Sequence, residues 1–483
     1  MLNRHLIAYL PVYLAQAIVG FGGVVVFTRI LTPDEYGQYS LILVAASLIG
    51  TALFSWLDAA VARFHARAAA RGRFKPHFAT AIRVYLFLGV ATAALLGLAI
   101  AFSPLSPAMK SASGFAVGHL VIRSALSLSL VTRRAAGEAV RYSILQSLTL
   151  VGGFALGIVF TLAGGLGPAG PFAGMALAAL IACLIDLPVL LSGAKPDRAS
   201  GVRAMTFLAY GAPVAFSLMF EYLLSTGDRF VIAGFLGNAA TGAYAAGYGI
   251  ADRSLDIVFI WLGAAAGPLA ITALETEGPA AARRVMKQAG ALMGLIGFPA
   301  ALGLALVAEP LARLMIAPEI AAQAAAIMPW IALAGLLNGL MTYYFHEAFI
   351  LGRQPRAMAL TMMAGAAFNL ILNLFLVPAF GIAGAAIATV IAYAVSLLAC
   401  ALLGQRTFAL PLPVADWIKA GAAAVIMGAA ILALPEFGPA LVDLVSRVAV
   451  GVGVFVPLAL VFNIAGCRNF LPGIGRPLRE AIS

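Results

Sequence analysis

"LTPDEYGQY" (Leu31–Tyr39) and "LGNAATGAY" (Leu236–Tyr244) carry Leu, Gly and Tyr in the same places, 205 residues apart. "FSWLDAA" (Phe54–Ala60) and "FIWLGAA" (Phe259–Ala265) share Phe, Trp, Leu, Ala and Ala at the same offset of 205. The chain holds only 4 Trp, so pairing Trp56 with Trp261 weighs against chance likeness in an apolar sequence. Two matches in one register read as a duplication.

The surroundings of both copies are apolar. The chain is 63% hydrophobic and 10% charged, with a mean hydropathy of +1.02. A soluble domain carries roughly 25% charged residues, so this chain cannot cover a surface facing water and belongs in lipid. A spanning helix needs about 20 mostly apolar residues, and 14 such runs lie between residues 6 and 465. They are long, unbroken and Leu/Ala-rich, unlike the alternating strands of about 10 residues in a membrane barrel. The first run exceeds a cleaved signal peptide and another follows at once, which predicts a retained helix. The offset carries the first two runs onto the seventh and eighth, so the repeat unit is six helices. An even unit enters from the same side twice, giving parallel repeats about an axis along the membrane normal. The expected fold is all-α: 14 transmembrane helices, two six-helix bundles related by a pseudo-two-fold, plus two C-terminal helices. The expected divisions are 1–195 and 196–405 for the bundles and 406–483 for the last two helices and a tail.

The net charge of +11 is a statement about topology. With the N-terminus in the cytoplasm, 23 of the 30 basic residues fall on inner loops and 5 outside. Excess Lys/Arg on cytoplasmic loops sets orientation, so both termini are expected inside, with some attraction to anionic lipid heads. This distribution argues against nucleic acid as a partner. Cys183, Cys400 and Cys467 are isolated, with no metal or redox spacing. The sequence has no Gly-rich phosphate loop ending in Lys-Ser/Thr. No segment between spans exceeds about 20 residues, which leaves no room for a glycosyltransferase domain. The chain is expected to move something rather than make it: not an enzyme, with no cofactor beyond H⁺ or Na⁺ coupling.

Charges inside spans are costly and mark cavities or partners. Arg123 stands midway in the fourth run, with His119 one turn earlier on the same face. This is either a cationic patch for diphosphate or acidic sugar, or one half of a structural pair with a carboxylate. Arg29 ends the first run. The eighth run carries Asp252, Arg253 and Asp256; Arg253 and Asp256 are spaced to pair locally, leaving a carboxylate to titrate. Glu221 in the seventh run is a candidate coupling carboxylate, and Asp228–Arg229 reads as an interface pair. Tyr343 and Glu347 share a face in the tenth run beside His346, either a sugar-stacking cluster or an interfacial aromatic belt. Asp58 closes the second run, as a functional carboxylate or a local cap, and Asp186 reads as interfacial. Gly365, Asn369 and Asn373 form a stripe that glues helices. Pro11 and Pro213 kink their spans. "TPDEYG" reads as a short outer turn, with Pro33 and Gly37 breaking the helix.

With 14 spans, the six-plus-six repeat and "RILTPDEYGQY" after the first, the chain resembles one exporter family. "LNLFLVPAFGIAGAAIAT" (Leu372–Thr389) and "YGAPVAFSLMFEYLLSTGDRFVI" (Tyr210–Ile232) fit it too. That family is the polysaccharide transporter branch, the Wzx-type flippases, of the multidrug/oligosaccharidyl-lipid/polysaccharide exporter (MOP) superfamily. The resemblance implies two bundles around a cavity open to alternate sides in the bacterial inner membrane. It implies an isoprenoid-diphosphate-linked oligosaccharide as cargo, for O-antigen, capsule or exopolysaccharide, and polysaccharide polymerase and glycosyltransferases as partners. On that basis substrate contacts are expected at Arg29, His119, Arg123, Arg253, Tyr343 and Glu347, and ion coupling at Glu221, Asp252 and Asp58. A lipid tail is expected along the two extra helices, by resemblance to peptidoglycan-precursor flippases. The alternatives are a peptidoglycan-precursor flippase, a multidrug/cation antiporter, and a non-transporting scaffold of a polysaccharide assembly complex.

Overall fold

The computed structural model describes residues 2–192 and 200–470. Lys195, Arg198, Arg476 and Arg479, counted above on inner loops, lie outside these residues, as does the expected boundary at 195/196. Among the described residues the chain is helical throughout, without strands. Helices α1 (Leu2–Ile30), α2 (Pro33–Ala70), α3 (Phe74–Phe102), α4 (Pro107–Ala135), α5 (Ala139–Leu162) and α6 (Gly170–Ser192) come first. Next come α7 (Gly201–Thr226), short α8 (Asp228–Leu236), α9 (Asn238–Glu277), α10 (Pro279–Leu306) and short α11 (Ala308–Met315). Helix α12 (Pro318–Leu340) passes through a π turn at Met341–Phe345 into α13 (His346–Leu351). Helices α14 (Pro355–Thr407), α15 (Val414–Leu432) and α16 (Ala440–Val461) complete the set.

Thirteen of the described helices are long and apolar enough to cross a membrane. Their outer faces suit lipid: on α3, Phe87, Val90 and Leu95 are 74%, 70% and 68% exposed. One of the thirteen is α14, with 53 residues. Straight, it would run about 80 Å, against a hydrocarbon core of about 30 Å. It is not straight. Gly381 leaves helical geometry at φ 63° and ψ −145°, a region open essentially to glycine alone. Across this bend, Cys400 Sγ lies 3.4 Å from Thr361 Oγ1, 39 residues earlier. The two legs are therefore antiparallel and each crosses, which gives fourteen crossings, as the sequence predicts.

The described residues fall into two compact units that divide between Gly242 and Ala243. The duplication is visible inside the first. Helices α2 and α9 begin at Pro33 and Asn238, positions 205 apart. A Cβ on Gly37 would lie 1.8 Å from the Asn238 carbonyl oxygen, and one on Gly242 would lie 2.7 Å from that of Pro33. Asn238 and Gly242 are the counterparts of Pro33 and Gly37, so the contact is self-complementary, as at a two-fold axis. The break read at "TPDEYG" lies between Ile30 and Pro33, and Gly37 is not part of it. Thr32 Oγ1 accepts from the Glu35 backbone N–H at 3.3 Å, and the Thr32 backbone N–H donates to Glu35 Oε2 at 2.9 Å. This capping box, with Pro33 at the first helical position, starts α2. Gly37 lies within the helix because another backbone presses on it.

Asp58 does not cap α2, which continues to Ala70 and leaves Asp58 well inside it. Asp186, read as interfacial, is held within the packing of the helices. It is wholly buried and bonded to Ser129, with Arg133 Nε at 3.2 Å and Arg141 Nε at 2.6 Å. Arg133 also reaches Glu138 Oε2 at 2.8 Å. Helices α4, α5 and α6 converge there, so charges that read as loop residues neutralise one another in the packing. In α14, Asn369 and Asn373 are buried, and Asn373 Nδ2 donates to the Asn369 backbone oxygen at 2.9 Å. The stripe faces packed helix, as its small and amide residues predict.

Candidate functional site

Helices α2 and α4 pack side by side in the first unit and bring three expected residues together. Helix α4 presents His119, Arg123 and Ser127 at successive four-residue steps, one face of a helix. Helix α2 sets Asp58 opposite, and Ser127 Oγ donates to Asp58 Oδ2 at 2.6 Å. From α5, Gln146 Oε1 accepts from Arg123 Nη2 at 3.3 Å, while Arg123 Nη1 has no hydrogen-bond partner. Among the described residues no ion pair joins Arg123 to Asp58. A guanidinium and a carboxylate thus share one space, each held by a neutral neighbour.

That space is open. One cavity of about 370 Å³ is lined by Asp58, His119 and Arg123, with Thr51, Ser55 and Ser124. A second, of about 460 Å³, is lined by Asp58 and Arg123 again, with Gln16, Arg134, Tyr142 and Gln146. Ser55, Asp58, Arg123 and Ser127 border both. The guanidinium borders a polar hollow inside spanning helices, and the Asp58 carboxylate of a neighbouring helix lines the same hollow.

A second cluster forms in the second unit, where the π turn and α13 meet α9. Tyr343 Oη lies 3.5 Å from Asp256 Oδ1, and its ring is parallel to Phe259 with centroids 6.4 Å apart. Gly263 and Gly267 make room: a Cβ there would lie 2.2 Å from Tyr343 Cδ1 and 2.7 Å from Glu347 Oε1. Glu347 Oε2 has no hydrogen-bond partner, and neighbouring His346 is buried. Gly263 is the repeat counterpart of Asp58, so one copy puts a carboxylate where the other admits an aromatic ring.

The other expected residues are Arg29, Glu221, Asp252 and Arg253. Arg29 is exposed at the end of α1, and its Nη1 donates to the Val25 backbone oxygen at 2.7 Å. Glu221 is exposed on α7; on α9, Asp252 is half-buried and Arg253 exposed. None of the four lines either cavity around Arg123. The sequence reading missed Ser127 and Gln146. Ser127 continues the His119–Arg123 stripe by one step, and Gln146 interrupts an apolar run, so both left a signal.

In the second unit an apolar groove of about 610 Å³ runs between α10, α15 and α16. Pro299, Met427, Ile431, Val452 and Phe455 line it, with Arg447 at its edge. Arg447 Nε is bonded to Asp443 at 3.0 Å.

Comparison with known proteins gives the lineage. A family model described as "Polysaccharide biosynthesis protein" matches residues 26–319. No curated protein matches. Among solved structures, the fold is similar to the lipid II flippase MurJ in its inward closed conformation. That match has a TM-score of 0.79 and 12% identity, covering 95% of this chain and 99% of that one. It is similar to an inward-facing multidrug resistance MATE transporter of the MOP superfamily, with a TM-score of 0.64 and 14% identity over 80% and 97% of the two chains. It is also similar to the Vibrio cholerae MATE transporter VcmN, with a TM-score of 0.57 and 17% identity over 84% and 96%. Identities this low speak to the fold, which is that of MOP-superfamily transporters. With more than half its length inside the family model, this integral membrane chain belongs to the polysaccharide biosynthesis protein family.

Proposed function

We propose that this protein is a flippase that carries an isoprenoid-diphosphate-linked oligosaccharide from the inner to the outer leaflet of the bacterial cytoplasmic membrane. It is a transporter, not an enzyme, and works by alternating access. The observation that carries this reading is Arg123. A mid-span guanidinium borders two polar cavities, with one amide partner and one unpartnered nitrogen. A planar fork of donors in a low-dielectric hollow suits a diphosphate. His119 adds a donor on the same wall. Tyr343 offers a ring face to a sugar, with Glu347 beside it for hydroxyls. Arg29 and Arg253 complete the cationic set in this proposal, at the ends of the cargo's path. The apolar groove by α15 and α16 suits an isoprenoid tail. Asp58, Glu221 and Asp252 are the proposed coupling carboxylates for H⁺ or Na⁺. Both termini are proposed to lie in the cytoplasm, where glycosyltransferases supply the cargo. A polymerase outside consumes it.

The experiment is complementation of a flippase-deficient strain. Arg123→Ala is expected to reduce surface polysaccharide at least tenfold at unchanged membrane protein level. Full export by this variant contradicts the reading and favours a scaffold. A second reading follows from the likeness to MurJ over 95% of the chain: a peptidoglycan precursor as cargo. Rescue of a strain lacking its peptidoglycan-precursor flippase tests that, and failure of rescue is expected. Drug-resistance assays test the antiporter alternative, with no gain of resistance expected.

A further inference from the structure

A cavity of about 310 Å³ opens where the end of α2 and the starts of α3 and α7 converge, within the first unit. Arg67, Arg71, Arg73 and Arg203 line it, and no carboxylate does. Among the described residues none of these four arginines forms an ion pair. Arg203 Nη1 lies 3.5 Å from Thr80 Oγ1. His77, which also lines the cavity, is 2% exposed, and its Nε2 has no hydrogen-bond partner. Its ring stands edge-on to Phe207 with centroids 5.1 Å apart, and Phe207 stacks on Phe64 at 6.1 Å. The hollow therefore has an aromatic floor, a buried imidazole in its wall and guanidinium groups at its mouth. It shares no residue with the two cavities around Arg123.

Four like charges around one void repel one another, and a bound anion relieves that repulsion. Guanidinium forks match phosphate oxygens in geometry as well as charge. The neighbouring surface points to an amphiphile rather than a free ion. Val202 lines the cavity at 81% exposure, and Met205 beside it on α7 is 66% exposed. An apolar strip thus leads away from a cationic pocket at one end of spanning helices, the arrangement that holds anionic headgroups. We propose that this cavity binds the phosphate headgroup of an anionic phospholipid, with the acyl chains lying along the exposed apolar face of α7.

The test is native mass spectrometry of the full chain released from micelles doped with phosphatidylglycerol or phosphatidylcholine. The wild type is expected to retain phosphatidylglycerol preferentially. Arg67→Gln/Arg71→Gln/Arg203→Gln is expected to lower its occupancy at least tenfold. Removing as much charge elsewhere, by Arg283→Gln/Arg284→Gln/Lys287→Gln, is expected to leave occupancy unchanged. Millimolar inorganic pyrophosphate is expected not to displace the lipid. Retention by the α2/α7 triple variant, equal loss in the distant triple, or displacement by pyrophosphate each overturns the proposal. If the first triple fails to fold, Arg71→Glu/Arg73→Glu, both at exposed positions, decides by the same readout.

Discussion

Placing an arginine at the centre of a spanning helix costs roughly 2.5–3.5 kcal/mol on insertion scales. Arg123 offsets part of this through Gln146, at 3.3 Å, and leaves one nitrogen facing no partner. Asp58 is stabilised separately by Ser127, at 2.6 Å. If the guanidinium is there to bind rather than to fold the chain, substitutions separate by chemistry. Arg123→Lys keeps the charge and loses the fork, so export is expected to fall several-fold, less than in Arg123→Ala. Ser127→Ala removes a neutral support of Asp58 and is expected to cost only a few-fold in export. Surface polysaccharide quantified at matched protein level checks both. An Arg123→Lys variant as impaired as Arg123→Ala would point to precise bidentate contact as the whole of its role. The three residues meet for a reason partly visible in the sequence. His119, Arg123 and Ser127 follow helical spacing, so their common face was legible. That Asp58 stands opposite them was not, because nothing in a single sequence says which helix packs against α4.

At the scale of elements, the close contact between the starts of α2 and α9 has a sharp consequence. A side chain at residue 37 has nowhere to go, with the Asn238 carbonyl oxygen 1.8 Å from the Cβ position. Gly37→Val is expected to abolish the monodisperse peak in size-exclusion chromatography. Gly97→Ala in α3, where nothing lies within 4 Å, is expected to leave it intact. Gly381→Ala forces an L-residue into φ 63°; such strain costs about 1–3 kcal/mol and is expected to lower the melting temperature by several degrees. The offset of 205 already announced the repeat, because duplicated backbones keep the glycines and aromatics that shape them. The hairpin in α14 was legible as two of the 14 apolar runs, although the helical path between them is almost continuous. Gly37 was misread as part of the turn before α2: Pro and Gly punctuate loops and helix starts alike, and only the partner backbone tells them apart. The partners of Asp186 were not legible. Its neutralising arginines come from two other helices, and such pairing leaves no trace in spacing.

At the scale of the whole molecule, fourteen crossings and the skew of basic residues predict both termini on the cytoplasmic side. Reporter fusions after the last span are expected to be active only in the cytoplasm; a periplasmic signal contradicts the topology. The sequence has no Gly-rich phosphate loop ending in Lys-Ser/Thr, and for the proposed transporter the expected drive is an ion gradient, the membrane potential or consumption of the cargo outside. Transport that ignores both pH and Na⁺ gradients removes the proposed coupling roles of Asp58, Glu221 and Asp252 while leaving the proposed cargo site untouched. The most direct measurement is translocation itself, in proteoliposomes holding purified protein and a fluorescent isoprenyl-diphosphate oligosaccharide in one leaflet. The wild type is expected to equilibrate the label across the bilayer, and Arg123→Ala to slow it at least tenfold with binding of the cargo weakened in parallel. Equal rates in the two proteins, or no movement of the label by the wild type, would contradict the account.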